Sequence, residues 1–234
     1  MHRELARRVS AEAVGTAFLV AIVVGSGIAA QQLSPDDVGL QLLENSIATG
    51  AGLVALILAL GNVSGAHFNP VVTLADRLLG GMSNTTALCY VVAQVAGACV
   101  GAVVANVMFD LPAVELSTHA RTSGPLWFSE FVATFGLLLV ILGVVRSGRR
   151  DAAAYAVGTY IAAAYWFTSS TSFANPAVTI GRTLTNTFAG IKPSSAPMFI
   201  VMQILGALVA IALGRFWYPN LRGDDVVVPH EAVR

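Results

Sequence analysis

Long apolar runs broken by short polar links dominate the chain. Six of them, at residues 9–30, 45–61, 85–108, 126–145, 152–168 and 196–217, approach the roughly 20 residues a helix needs to cross a hydrocarbon core about 30 Å thick. The links hold turn-forming residues: Ser34-Pro35-Asp36-Asp37, Leu111-Pro112, Ser123-Gly124-Pro125 and Arg146-Ser147-Gly148-Arg149-Arg150. Two further stretches, 68–79 and 173–188, are amphipathic and too short to span. Each carries Asn-Pro near its start. Proline suits a first helical turn, where its missing N–H has no partner to lose, and asparagine before it is a good cap. The pattern therefore predicts six spanning helices and two asparagine-capped half-helices. The tail after Pro219 is polar and is expected to fray.

Composition agrees with a bilayer as solvent. Of 234 residues, 56% are hydrophobic and 11% charged, against about 25% charged in an average soluble domain. Thirteen basic residues balance thirteen acidic ones, which leaves no basic patch for nucleic acid. Cys89 and Cys99 stand ten residues apart in one apolar run, about 15 Å along a helix and beyond disulfide reach. Arg3, Arg7 and Arg8 ahead of a run ending Ile28-Ala29-Ala30 imitate a secretory signal. The run from Ala11 to Ala30 is long enough to span, however, and its Glu12 belongs to a pattern that recurs, so it reads as the first span. With both termini on one side, that side holds Arg3, Arg7, Arg8, Arg77, Arg146, Arg149, Arg150, Arg215, Arg222 and Arg234. The other side holds Arg121, Arg182 and Lys192. Ten against three predicts cytoplasmic termini.

The chain repeats itself. Residues 11–16 match 129–134, 67–73 match 173–179, and 90–98 match 199–207, so that Glu12 pairs with Glu130, Asn69 with Asn175 and Gln94 with Gln203 at offsets of 118, 106 and 109. Each half holds three spans, an odd number, so the second half lies upside down relative to the first. The expected organisation is one domain over 1–234, with inverted repeats at about 9–108 and 126–217. Inverted repeats with interrupted helices put a transport path at the midplane. Irregular backbone at that depth persists only where it is buried in protein or lines water.

On these residues the chain resembles the aquaporin and aquaglyceroporin channels, the major intrinsic proteins, from Glu12 to about Trp217. Its first motif, Asn69-Pro70-Val71, departs from that family's usual Asn-Pro-Ala; its second, Asn175-Pro176-Ala177, does not. The resemblance implies an all-α membrane fold in which the half-helices meet at their N-termini and the asparagine amides donate to permeating molecules. It implies a homotetramer without cofactor, metal or covalent chemistry. Two facing N-termini, each about half a positive charge, repel cations. Carboxylates inside apolar helices are costly, and the resemblance assigns Glu12 and Glu130 to accept hydrogen bonds from the pore loops and orient them. The other reading is a proton-relay pair. His67 is expected to pack its loop, and Gly97 with Gly101 forms a small-residue pair for close helix approach.

The resemblance also implies an aromatic/arginine filter. Its arginine would stand three residues after Asn175, where this chain has Val178. Ungapped counting puts the other positions at Ser172, Ala163 and Thr49. A filter of Thr49, Ala163, Ser172 and Val178 has no ring, histidine or arginine, and predicts a wide pore. Arg182, four residues past Val178 on the same helical face, is expected in the external vestibule, or alternatively in place of the missing arginine. Valine at the arginine position resembles bacterial aquaglyceroporin-type channels associated with arsenic resistance. That implies trivalent arsenicals as neutral hydroxides, methylated arsenicals and glycerol-like solutes, with some water, crossing a bacterial inner membrane. The rivals are a water-selective aquaporin and a proton-coupled secondary transporter using Glu12 and Glu130. No serine–histidine, paired-aspartate or metal-spaced cluster in the spans suggests an enzyme.

Overall fold

The computed structural model describes residues 2–222. Among them the helices are α1 (His2–Leu33), α2 (Val38–Ser64), α3 (Pro70–Leu78), α4 (Asn84–Met108), α5 (Gly124–Arg146), α6 (Ala153–Phe167), α7 (Pro176–Gly181) and α8 (Ala196–Trp217). All described secondary structure is helical. Single 3-10 turns occupy Arg150–Ala152, Arg182–Leu184 and Pro193–Ser195.

Helices α1, α2, α4, α5 and α8 are each long and apolar enough to cross a membrane. The sixth span, α6, has 15 residues, about 22 Å at 1.5 Å per residue, and the 3-10 turn before it supplies further length. Polar caps set several boundaries outside the apolar runs. Asp37 accepts from Leu40 N at 2.9 Å, so α2 starts at Val38 rather than 45. The intervening polar residues turn inward: Gln41 donates to Ser34 O at 2.7 Å and Asn45 to Val23 O at 2.9 Å.

The half-helices differ from their predicted limits. The residues before each Asn-Pro form loops. The second helix ends in the turn Arg182–Leu184, short of 188, because Thr185 is extended and donates its hydroxyl to Asn106 Oδ1 at 2.7 Å.

The two halves are built alike. In the first, α1 packs on α4 and α2; in the second, α5 packs on α8 and α6. The α1–α4 contact depends on two glycines. A Cβ on Gly97 would lie 2.2 Å from Ala13 O, and one on Gly101 2.1 Å from Ala17 O. Cys89 and Cys99 are both free and half-buried on α4.

Burial is inverted relative to a water-soluble protein. Phe18, Leu58, Val92, Phe128, Trp166 and Phe216 are exposed, while Glu12, Gln94, Glu130, Arg182 and Gln203 are buried. Apolar groups outside cost nothing in hydrocarbon, whereas polar groups must be satisfied internally.

Six alternating spans bring the start of α1 and the end of α8 to one end of the bundle. Here Arg8 Nε donates to Tyr90 Oη at 2.9 Å and Arg215 to Leu78 O at 2.7 Å. Arg234, the polar tail beyond 222 and the exact N-terminal residue lie outside the described residues.

Candidate functional site

The two half-helices meet head to head. Asn69 caps α3 by accepting from Val71 N at 3.1 Å, and Asn175 caps α7 by accepting from Ala177 N at 2.9 Å and Val178 N at 3.2 Å. The amide nitrogens cross over: Asn69 Nδ2 donates to Ala174 O at 2.8 Å and Asn175 Nδ2 to Phe68 O at 2.7 Å. Each side chain thus caps its own helix and ties down the opposite loop. Each amide has a second hydrogen, and both asparagines line the central cavity. Pro70 and Pro176 begin their helices. Val71 and Ala177 are buried behind the motif, away from the cavity.

The loops ahead of the asparagines are strained and braced. Ala66 and Phe68 in one, and Ser172 and Ala174 in the other, have φ between 48° and 49°, a left-handed conformation that costs a non-glycine residue on the order of 1–3 kcal/mol. A buried carboxylate holds each loop there. Glu12 accepts from His67 N at 3.0 Å, Phe68 N at 2.7 Å, Ser64 Oγ at 2.6 Å and Gln94 Nε2 at 2.8 Å. Glu130 accepts from Phe173 N and Ala174 N, both at 2.9 Å, and from Gln203 Nε2 at 2.6 Å. Each glutamine also donates to a half-helix threonine, Gln94 to Thr73 and Gln203 to Thr179, both at 2.9 Å. His67 packs edge-on against Tyr90, with Nδ1 2.9 Å from Thr73 Oγ1 and Nε2 3.6 Å from Asp76 Oδ2.

The cavity lining is of two kinds. Leu19 and Val23 of α1, Leu53 and Ile57 of α2, and Leu137 and Ile141 of α5 face it at helical spacing. Helix α6 adds Ala153, Val157, Ile161 and Tyr165, every fourth residue. The remaining lining comes chiefly from the braced loops, residues 65–67 and 172–174, and the two asparagines.

The end of the cavity away from the chain termini, termed the narrow end after the expected filter, differs from the counted set. Of the four counted positions, Thr49, Ser172 and Val178 line the cavity. Ala163 does not: it lies on the exposed face of α6. Two residues along a helix turn about 200°, so the stripe that reaches the cavity ends at Tyr165, whose hydroxyl is 3.1 Å from Thr49 Oγ1. The cavity lining beside Thr49 therefore includes an aromatic ring. It also has a guanidinium. Arg182 is 2% exposed, lines the same cavity, and stacks on Phe173 with its Cζ 3.4 Å from the ring centroid. Its Nε donates to Ala189 O.

The sequence matches the family described as "Major intrinsic protein" over residues 1–171 and again over 147–233. The chain belongs to the major intrinsic protein family. It is 53% identical over 213 residues to aquaglyceroporin AqpS of Rhizobium meliloti (strain 1021), with 91% of each chain covered. It is 31% identical over 231 residues to aquaporin NIP2-1 of Oryza sativa subsp. japonica, covering 94% of this chain and 72% of that one. The fold matches the X-ray structure of the aquaglyceroporin from Plasmodium falciparum at a TM-score of 0.69, with 21% identity over 93% of this chain and 98% of that one.

A major intrinsic protein is a multi-pass membrane channel rather than an enzyme. Within this member, sequence reasoning missed Tyr165, Phe173 and Arg121 at the narrow end. The fourfold stripe Ala153–Val157–Ile161–Tyr165 was the available signal for the first. The second stands where His67 stands in the first repeat. The third had no local signal, since it comes from the loop between α4 and α5.

Proposed function

We propose that the cavity is a passive conduction path for small neutral solutes bearing several hydroxyls, among them glycerol-like polyols and neutral trivalent metalloid hydroxides such as arsenite. The observation that carries this reading is the pairing, around a single cavity, of a lining of aliphatic helix side chains with the two asparagine amides and the braced loops. A solute with an apolar side and a row of hydroxyls satisfies both kinds of lining at once. Water satisfies only the polar one, and is a secondary permeant. Arsenite in water is an uncharged trihydroxide near neutral pH, so it presents the same chemistry as a polyol. The relative AqpS, named an aquaglyceroporin, supports the polyol class.

In this reading Asn69 and Asn175 donate to the solute, Glu12 and Glu130 hold the loops, and Thr49, Tyr165, Ser172 and Val178 shape the narrow end. The glutamates act as acceptors: every partner either carboxylate has is a hydrogen-bond donor. The channel works as one domain of two inverted halves, as a homotetramer in a bacterial inner membrane. Its termini face the cytoplasm, on the end where the basic residues gather.

The test is a proteoliposome panel of water, glycerol, urea and arsenite at matched protein amounts. Glycerol and arsenite flux well above empty vesicles, non-saturating and indifferent to a proton gradient, is expected. Water flux without glycerol or arsenite flux would leave a water-selective aquaporin. Saturating flux that collapses with the proton gradient would leave a secondary transporter.

A further inference from the structure

Two arginines from distant parts of the chain converge on one phenylalanine at the narrow end. Arg182 follows α7 and lines the cavity. Arg121 comes from the loop between α4 and α5, and its Cζ is 5.1 Å from the centroid of the same Phe173 ring. Their carbonyl partners are adjacent in sequence: Arg182 Nε donates to Ala189 O, and Arg121 Nε to Gly190 O at 3.1 Å. Arg121 also donates to Ser170 O at 3.4 Å, and its backbone N to Ser195 Oγ at 3.1 Å.

The support has little freedom. Gly190 has no room for a side chain, since a Cβ would lie 2.4 Å from both Ser117 Oγ and Thr185 O. Glu130, the buried carboxylate of this half, is occupied by three donors. Among the described residues no acceptor meets the two terminal nitrogens of Arg182, while Ser172 Oγ, on the same cavity, is buried without a partner. The guanidinium is therefore fixed through its Nε and its flat face, and its terminal donors are left for the lumen.

We infer that Arg182 is the specificity-determining residue of the narrow end, excluding cations and donating to hydroxylated solutes, and that Arg121 positions it through Phe173 and the Ala189–Gly190 carbonyls. This rests on the conduction path proposed above. The guanidinium that Val178 lacks is delivered from one helical turn further along the same face, where it narrows the path less than an arginine at 178 would. Arg121 does not line the cavity and acts on the solute only through Arg182.

The experiment measures potassium leak and the glycerol-to-water permeability ratio in proteoliposomes for the full-length chain and its variants. Arg182→Gln should raise potassium leak about tenfold or more, because a fixed unit charge beside a poorly solvated path is worth at least that factor to a passing cation. Arg121→Gln should shift leak and ratio in the same direction, Arg121→Lys should restore part of the effect, and the double variant should leak no more than Arg182→Gln alone. A merely structural Arg121 would lower the yield of folded channel and leave the leak per channel and the ratio unchanged; that result, or additive leaks, would overturn its positioning role. Should Arg182→Gln not reconstitute, Phe173→Leu removes the stacking surface and should give the same leak. Val178→Trp separates the two levels of inference. If it blocks glycerol while Arg182→Gln changes neither readout, the path stands and the assignment of Arg182 falls; if it leaves glycerol flux intact, the path and the assignment fall together.

Discussion

Replacing Glu130 by leucine should nearly abolish the folded channel, whereas glutamine should spare it. The carboxylate takes three donors, two of them backbone N–H groups of a loop whose Ala174 has φ 49°. An orphaned buried donor costs about 1–3 kcal/mol, so leucine removes on the order of 3–9 kcal/mol. That rivals the whole folding stability of a typical domain, about 5–15 kcal/mol. Release of the left-handed backbone refunds a fraction, because the loop can relax once unbraced. Glutamine keeps one acceptor oxygen and turns an NH2 toward the remaining donors, for a loss of about 1–3 kcal/mol. Glu12, with four donors, should show the same order with a larger leucine penalty. The assay is thermal unfolding in detergent, followed by glycerol flux in liposomes with and without a proton gradient. Wild-type melting for Glu130→Leu would refute the bracing argument. Loss of all flux in a well-folded Glu130→Gln would refute the acceptor role and restore a proton-carrying one.

Three further outcomes follow from the geometry. Asn175→Asp keeps the cap oxygen but loses the Nδ2 bond to Phe68 O at 2.7 Å and puts negative charge where two helix N-termini meet; patch or flux recording should show lower glycerol flux and a new cation leak. Ala163→Phe, on the exposed face of α6, should leave the glycerol-to-water ratio unchanged, while Tyr165→Ala should raise it by opening the narrow end; equal effects in stopped-flow swelling would contradict the register of α6. Gly101→Val should lower the melting temperature sharply, since its Cβ would lie 2.1 Å from Ala17 O and overpacking of that kind costs about 1–3 kcal/mol or more; a melting point within a degree of wild type would contradict the α1–α4 contact.

The parts of this molecule that were legible in sequence are those that both repeats had to keep. Glu12 and Glu130, Asn69 and Asn175, and Gln94 and Gln203 announce themselves because a buried polar residue in an apolar run has few reasons to be there, and each recurs. The narrow end was less legible because counting residues is not the same as tracking helical phase. Ala163 sits at the counted position, but α6 is a regular helix whose inward stripe runs through Ile161 to Tyr165. The burial of Arg182 could not be read from its spacing, which gives its face but not the partner that receives it. That partner, Phe173, and the second arginine depend on how loops 111–123 and 185–195 fold over the mouth, where no periodicity applies.

Comparison of the two halves bears on the selectivity proposed for the narrow end. The offset that carries Asn69 to Asn175 also carries His67 to Phe173, Thr73 to Thr179 and Asp76 to Arg182, all separated by 106 residues. Tyr90 corresponds to Phe199 at the offset of 109 that relates α4 to α8, and both ring pairs meet edge-on, at 5.4 Å and 5.2 Å. Bracing groups are therefore duplicated, and the charged groups beside them are not: a carboxylate and an imidazole at one end answer a guanidinium stacked on a benzene ring at the other. A passive path needs only one discriminating constriction, because a solute refused there is refused whichever way its gradient runs. The copy without that duty is released from holding a filter, and its aromatic position is free to carry the histidine that touches Thr73 and Asp76. Symmetry thus accounts for the duplicated bracing, and the proposed selectivity falls at the pairs of positions where the two copies have diverged.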